Sequence, residues 1–374
     1  MTPAGATPRP ARVAVHAGQL IQPVPGGIGR YVHELVRALV DAGTEVVPFA
    51  AGDLTGHLEA GSPPVDLGRP GPPWRYVLWH RLRRPRVRLP VDVVHAPSLA
   101  VPPVAGSALV VTVNDVAFLR HPEVFTRRGV GFHRRGLDLT RRHADVVVTP
   151  SEFVRRELAD EGFDPDLVVV APHGASSPRP ADPARHDALL ARAGVEEPFV
   201  LAVGTVEPRK NLGVLAAAVG RIRRRRPELS LVVAGPAGWL EVTGIDGPEV
   251  RRLGRVDEVT LDALYRRAVA CGIPSLYEGF GLPALEAMSR GCPLVVAEAG
   301  SLPEVTGDTA LRAPPHDVDA WEQALEAILD DRTATGERAS RARDRAAGFT
   351  WARSAEQHVA AYGRAMQVRA EGRP

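Results

Sequence analysis

Lysine is all but missing from this chain of 374 residues: among 46 basic side chains only Lys210 is a lysine, and every other is arginine. Together with abundant Ala, Gly, Pro and Val, the imbalance reads as the codon usage of a GC-rich genome. A compact ammonium and a planar guanidinium are not interchangeable. A lysine that survives such a bias therefore either survives by chance or holds a position whose chemistry arginine cannot supply. Cysteine is scarce as well. Cys271 and Cys292 are the only two, both in segments that read as buried strand and helix end, and two reduced core thiols exclude a disulfide-built scaffold. No run of about eighteen uninterrupted apolar residues is present, which excludes a helix that spans a bilayer. The first residues pass from a Pro/Ala tail straight into a short apolar strand, without the long apolar block and small-residue cleavage site of a secretory signal. The expectation is a soluble, cytoplasmic protein. Its net charge of +2 does not call for nucleic acid as a partner.

The length fits two domains of ordinary size. A strand over 11–17 leads through Gly26, Gly27, Ile28 and Gly29 into a helix on which Val32, Leu35, Val36 and Leu39 recur at helical spacing, and a second strand follows over 44–50. This is the crossover unit that builds parallel sheets. Short apolar runs at 91–96, 108–114, 145–151 and 167–172 read as further strands buried on both faces. The Pro/Ala/Ser-rich stretch 173–185 breaks the pattern, and strands resume at 198–204, 229–235, 269–275 and 293–299 with helices between them. After Ala320 the chain reads as wholly helical. The predicted fold class is α/β, with two Rossmann-like doubly wound domains. The first spans 1–185 and the second 186–350, and a last helix within 351–374 is expected to pack back on the first domain.

Residues 278–305 carry the densest chemical signal. They leave the carboxyl end of a parallel strand and open a helix, where open α/β sheets bind ligands and helix-start N–H groups attract phosphate. Gly279 and Gly281, either side of Phe280, let a backbone approach a ligand closely, and Pro283 suits the first helical turn after Leu282. Glu278 in the loop and Glu286 one turn into the helix face the same side from different heights. Bare spacing of two glutamates is weak, but the strand, glycine and helix context makes it strong. A second cluster sits in AVGTVEPRKNL: a strand ends at Gly204, and Arg209 and Lys210 stand ahead of the next helix, where cations oppose the helix dipole. An anion would resolve that conflict. The glycines 26, 27 and 29 form no dinucleotide fingerprint, since GxGxxG is absent and no well-placed acid follows the second strand. Asp164, Pro165 and Asp166 imitate a metal-binding Asp-x-Asp triplet but read as a surface turn. The arginines from Arg75 to Arg88, continued by Arg127, Arg128, Arg134, Arg135, Arg141 and Arg142, are either a solvated face or a surface for an anionic partner, such as a phospholipid surface or a lipid-diphosphate acceptor.

These segments, with GGIGRYVHELVRAL, PSEFVRREL, PHGAS and GSLPEVTGDTAL, resemble the family 4 retaining glycosyltransferases, in particular bacterial mannosyltransferases. The resemblance implies the GT-B architecture, in which two Rossmann-like domains face each other across a cleft. It also implies transfer of a hexose from a nucleoside diphosphate sugar, GDP-mannose being the guess, to a hydroxyl on a glycan or lipid-linked acceptor, with retention and without an obligate metal or other cofactor. Glu278 then meets the sugar hydroxyls, Glu286 the ribose, and Arg209 and Lys210 the diphosphate. Gly26 and Gly27 approach the phosphates on closure, and the base lies by the backbone of Arg255 and Val256. Relatives carry His then Asp where this chain has Asn114 and Asp115. A proton carrier is thereby lost at that position, but a hydrogen-bonding fixture is not. Two alternatives stay open: a nucleotide-sugar epimerase on the same plan, and a non-catalytic nucleotide-sugar-binding partner.

Overall fold

The computed structural model describes residues 9–176, 182–238 and 240–372. The middle of the 173–185 stretch lies outside them. The chain divides into two compact units, one of residues 1–122, 127–174 and 350–374, the other of 123–126 and 175–349.

In the first unit seven strands form one sheet: β1 (Arg12–His16), β2 (Glu45–Ala50), β3 (Val65–Asp66), β4 (Val93–Ala96), β5 (Ala108–Thr112), β6 (Val146–Thr149) and β7 (Val168–Val170). Their order is β3-β2-β1-β4-β5-β6-β7, with every neighbouring pair parallel. The central strands are buried at every position, because helices cover both faces and leave no side for alternating polar residues. Helices α1 (Gly26–Asp41), α2 (Trp74–Leu82), α3 (Ala117–Arg120), α4 (Arg127–His143) and α5 (Glu152–Asp160) supply that cover. On α1 the buried set includes Val32, Leu35, Val36 and Leu39, the stripe read from the sequence. The glycines ahead of it are not a separate loop. Gly26 and Gly27 are the first turn of α1, which starts directly after Pro25. Ser151 starts α5 by accepting a hydrogen bond from the Val154 N–H, which satisfies a donor the helix cannot use.

The second unit repeats the plan. Its strands are β8 (Phe199–Val203), β9 (Ser230–Ala234), β10 (Val250–Gly254), β11 (Ala270–Ile273), β12 (Leu294–Ala297) and β13 (Leu311–Ala313). They are all parallel, in the order β10-β9-β8-β11-β12-β13. Helices α6 (Pro183–Ala193), α7 (Leu212–Ile222), α8 (Glu258–Arg267), α9 (Leu282–Arg290), α10 (Leu302–Thr306), α11 (Val318–Asp330) and α12 (Arg332–Ala346) complete it. The last helix, α13 (Trp351–Glu371), belongs to the first unit, where Ala355, Tyr362 and Ala365 enter the same apolar cluster as Val13, Leu35 and Val110.

A buried polar network fastens α13 there. The Tyr31 hydroxyl bonds to Thr112 Oγ1 at 2.9 Å and to His358 Nε2 at 2.7 Å, while the Tyr362 hydroxyl bonds to His95 Nδ1 at 2.9 Å and His95 Nε2 to Thr112 at 2.8 Å. Burial pushes the pKa of His358 down to about 4, so these groups are neutral and paired at neutral pH. The Asp164–Asp166 triplet is an exposed turn in which Asp164 accepts from the Asp166 N–H at 2.9 Å.

Candidate functional site

Ligand sites of parallel sheets form beyond the carboxyl ends of the strands, and in the second unit the chemistry gathers there. The turn after β8 carries Glu207, Arg209 and Lys210 in a single helical turn over Pro208–Lys210. Asn211, in a left-handed conformation (φ 51°), closes it and donates through Nδ2 to the Pro274 and Pro315 carbonyls. The Leu276 N–H bonds the Arg209 carbonyl at 2.9 Å. The cationic turn is thus latched to the segment after β11, which carries Ser275 and Glu278.

Glu278 sits between the two cations. Its Oε1 accepts from Lys210 Nζ at 2.6 Å and from the Ser275 hydroxyl at 2.7 Å, and its Oε2 from Arg209 Nη1 at 3.3 Å. Arg209 also donates to the Tyr277 carbonyl and pairs through Nη2 with Glu207 at 2.7 Å. Burial opposes the charge on Glu278, but Lys210 and Arg209, with hydrogen bonds from Lys210 and Ser275, outweigh it and bring the pKa down to about 2. For Glu207 burial wins over the same two cations and pushes its pKa up. Two cations and two acids are held in one half-closed nook, which is costly unless each is paired. Such an arrangement marks a site prepared for charged or strongly polar ligands.

The backbone behind Glu278 is equally fixed. Ser301 donates its N–H and its hydroxyl to the Glu278 carbonyl at 2.9 and 3.0 Å. Gly300, at φ 61°, lies so close that a Cβ there would meet the Glu278 carbonyl oxygen at 2.5 Å. Gly281 (φ 92°) starts α9 with no side-chain cap. The Phe280 side chain is buried and packs edge-on against Phe349, so only its backbone is available to a ligand. In the second turn of α9, Glu286 is buried and its Oε2 accepts from the Tyr265 hydroxyl at 2.9 Å. Tyr265 in turn lies under the Arg290 guanidinium, which is bound by Asp262.

Gly204, at the end of β8, lines a small crevice with Thr205, Lys210 and Ser275. Arg255 is exposed and Val256 half-buried, between β10 and α8. In the first unit, Asn114 lies just past the carboxyl end of β5 and donates through Nδ2 to the Pro97 carbonyl at 2.9 Å, and Asp115 accepts from the Ala117 N–H at 3.1 Å. Gly26 and Gly27 begin α1 after the β1 turn. The structure thus brings Arg209, Lys210 and Glu278 into contact and sets Glu286 one turn into the adjoining helix. Sequence reasoning missed Glu207, Ser275, Ser301 and Tyr265. Glu207 and Ser275 each lie within three residues of a residue already singled out, and Ser301 lies inside the stretch 278–305, whereas Tyr265 carried no local signal.

The fold gives two parallel α/β units, the second with a buried acid clamped by cations beside a helix start, and comparisons with known proteins give the class. The family described as Glycosyltransferase Family 4 matches residues 25–179, and that described as Glycosyl transferases group 1 matches residues 197–331. The chain is 32% identical to the O-antigen chain mannosyltransferase B of Escherichia coli, over 72% of this chain and 74% of that one. It is 30% identical to the D-inositol 3-phosphate glycosyltransferase of Stackebrandtia nassauensis, over 97% of this chain and 93% of that one. Among solved structures it is similar to the Anabaena protein HepE in complex with UDP-glucose, with a TM-score of 0.70 and 18% identity, over 92% of this chain and 97% of that one. The chain belongs to glycosyltransferase family 4, has the GT-B type of fold, and is a glycosyltransferase.

Proposed function

We propose that this protein moves a hexose, mannose in the first instance, from a nucleoside diphosphate sugar to a hydroxyl of a glycan or lipid-linked acceptor, with retention and without an obligate metal. The observation that carries the reading is the clamp on Glu278 by Lys210 and Arg209. When the diphosphate arrives, its oxygens compete for the two cations, and the Glu278 carboxylate turns to accept from sugar hydroxyls. As the bond from the anomeric carbon to the phosphate oxygen breaks, negative charge grows on the leaving diphosphate, and the cations already fixed beside it stabilise that charge. The acceptor oxygen attacks from the face the leaving group vacates, and its proton passes to a phosphate oxygen. Glu286 holds the ribose, and backbone at Gly279, Gly281, Leu282, Arg255 and Val256 lines the phosphate and base positions. In this reading the arginine and lysine take the part a metal plays in other transferases. The mannosyltransferase relative supports mannose, and the UDP-glucose bound to HepE supports a glucosyl donor as the second choice.

A panel of nucleoside diphosphate sugars, each assayed for thermal stabilisation and for donor turnover before and after exhaustive chelation, tests the reading. GDP-mannose should stabilise most and turnover should survive chelation. Stabilisation by another donor would change the sugar, and loss restored by magnesium or manganese would overturn metal independence.

A further inference from the structure

Helix α2 carries large apolar side chains on both of its sides, including the one that faces water. At about 100° per residue, Arg75, Tyr76, Trp79 and His80 fall on one side and Trp74, Val77, Leu78, Arg81 and Leu82 on the other. The first side is anchored. Trp79 is fully buried, His80 stacks on Phe132 of α4 at 4.5 Å, and the buried Arg75 guanidinium donates to the carbonyls of Leu67, Gly68, Arg69 and Pro70. The outer side is where the apolar groups stand in water. Trp74 is 68% exposed, Leu82 63% and Val77 39%, and these are three of the five large apolar side chains exposed among the described residues.

The surrounding charge is of one sign. Between Asp66 and Asp92 the sequence holds no acidic residue. Arg83 is spent on structure, donating to the Trp79, Val101 and Pro102 carbonyls. Arg81, Arg84, Arg86 and Arg88 are exposed, and no carboxylate lies within ion-pair distance of any of them among the described residues. By contrast, Arg221 of α7 and Arg225 and Arg226 in the turn that follows it are each paired with acids of α11. Arginines of this chain pair where acids are placed for them, and on the α2 side none are.

We propose that the outer face of α2, with the arginines that follow it, docks on an anionic lipid bilayer. Trp and Leu enter the headgroup boundary while arginines meet the lipid phosphates. A nucleic acid would satisfy the arginines but leave Val77 and Leu82 in water, so an anionic membrane fits both halves of the surface. The proposal goes beyond the transferase reading, whose charged cluster lies in the other unit.

Sedimentation of the full chain with vesicles tests it without turnover, so its failure is separable from failure of the transferase assignment. The protein should pellet with vesicles of equal parts phosphatidylglycerol and phosphatidylcholine and stay in solution with phosphatidylcholine alone. The triple variant Arg84→Gln, Arg86→Gln, Arg88→Gln should lose partition by about a hundredfold. Trp74→Ser with Leu82→Ser should lose about tenfold or more, with the melting temperature and nucleotide-sugar turnover in solution unchanged. Equal binding to neutral vesicles, or wild-type partition by both variants, would overturn the proposal. So would the Trp74→Ser, Leu82→Ser protein turning a dimer into a monomer with no vesicle binding by the parent, which would make the face a contact between copies.

Discussion

Both sheets bury polar groups at their carboxyl ends, but not of the same kind. In the first unit Tyr31, His95, Thr112, His358 and Tyr362 are neutral and satisfy one another, tying α13 to the sheet. In the second, Glu207, Arg209, Lys210 and Glu278 are packed together as charges. A neutral network costs little to desolvate once its hydrogen bonds are made, and it specifies how elements fit. A charged cluster is expensive to bury and gives little net stability, so its presence argues for work on a ligand. One unit spends its buried polarity on structure and the other on chemistry.

Acid should separate the two first and most strongly. Burial holds the imidazoles of His16 and His358 at about 4 and that of His173 at about 3, and pushes His95 well below its ordinary value. The folded state keeps these rings neutral, whereas the unfolded chain takes up protons below about pH 6.5. Their stability is complete above that pH and is lost as pH falls toward 4. At about pH 5 each such ring removes roughly 2 kcal/mol. Glu278, at about 2 when folded, begins to lose its contribution only below its ordinary 4.5, and Glu207, pushed up, works in the opposite sense. Hydrogen exchange between pH 7 and 5 should therefore show β5 and α13 losing protection while β11 and α9 keep theirs. Parallel loss in both units would erase the contrast.

Next in size is the cluster itself. Lys210→Ala should lower turnover by at least about a hundredfold, with cooperative unfolding retained. Arg in its place should rescue poorly, because a planar fork does not sit on Glu278 Oε1 and a phosphate as a compact ammonium does. Near-normal turnover of Lys210→Arg would reduce the lone lysine to codon chance.

Much of this architecture was legible from residue pattern alone, and the exceptions have physical causes. Strands buried on both faces announce themselves as apolar runs, as β5 and β12 do. The three that escaped, β3, β10 and β13, are sheet edges. β10 carries the exposed Arg251 and Arg252 at its middle, so no apolar run marks it. The glycines at 26 and 27 suggested a loop, yet α1 begins at the first of them, because helix packing overrides glycine's low propensity. Within the site, strand, glycine and helix context pointed to Glu278 and Glu286. The clamp itself joins residues 68 positions apart, and Tyr265 reaches Glu286 from another helix, relations that no local spacing encodes.

A smaller effect is expected in the first unit, at Asn114. Asn114→Ala should lower activity at least about tenfold, while Asn114→His should remain active, since an amide can fix a sugar hydroxyl but does not titrate near neutrality. The wild type should then show no turnover pKa near that of a histidine. If the wild type is inactive and Asn114→His switches it on, the asparagine has disabled catalysis and the chain works as a nucleotide-sugar-binding partner.

The smallest effect falls on a neutral group in the second unit that serves the charged site. Tyr265 is fully buried, and its hydroxyl donates to Glu286 Oε2, so it acts on a ligand only through that carboxylate. A ribose contact is made alike in ground and transition states, so loss of Glu286 should raise KM for the donor by about tenfold and leave kcat nearly unchanged. Tyr265→Phe removes one oxygen and almost no volume. The carboxylate stays in place but loses its fixed orientation, and KM should rise by about threefold, less than the full worth of a hydrogen bond to a charged group. A packing defect would also disturb kcat or the melting temperature, and neither should move. The decisive arm is the double variant. If Tyr265 works through Glu286, adding Tyr265→Phe to Glu286→Ala changes KM no further. An additional rise there would show that Tyr265 shapes the site by another route, and the neutral hydroxyl would then belong with the structural network of the first unit's kind.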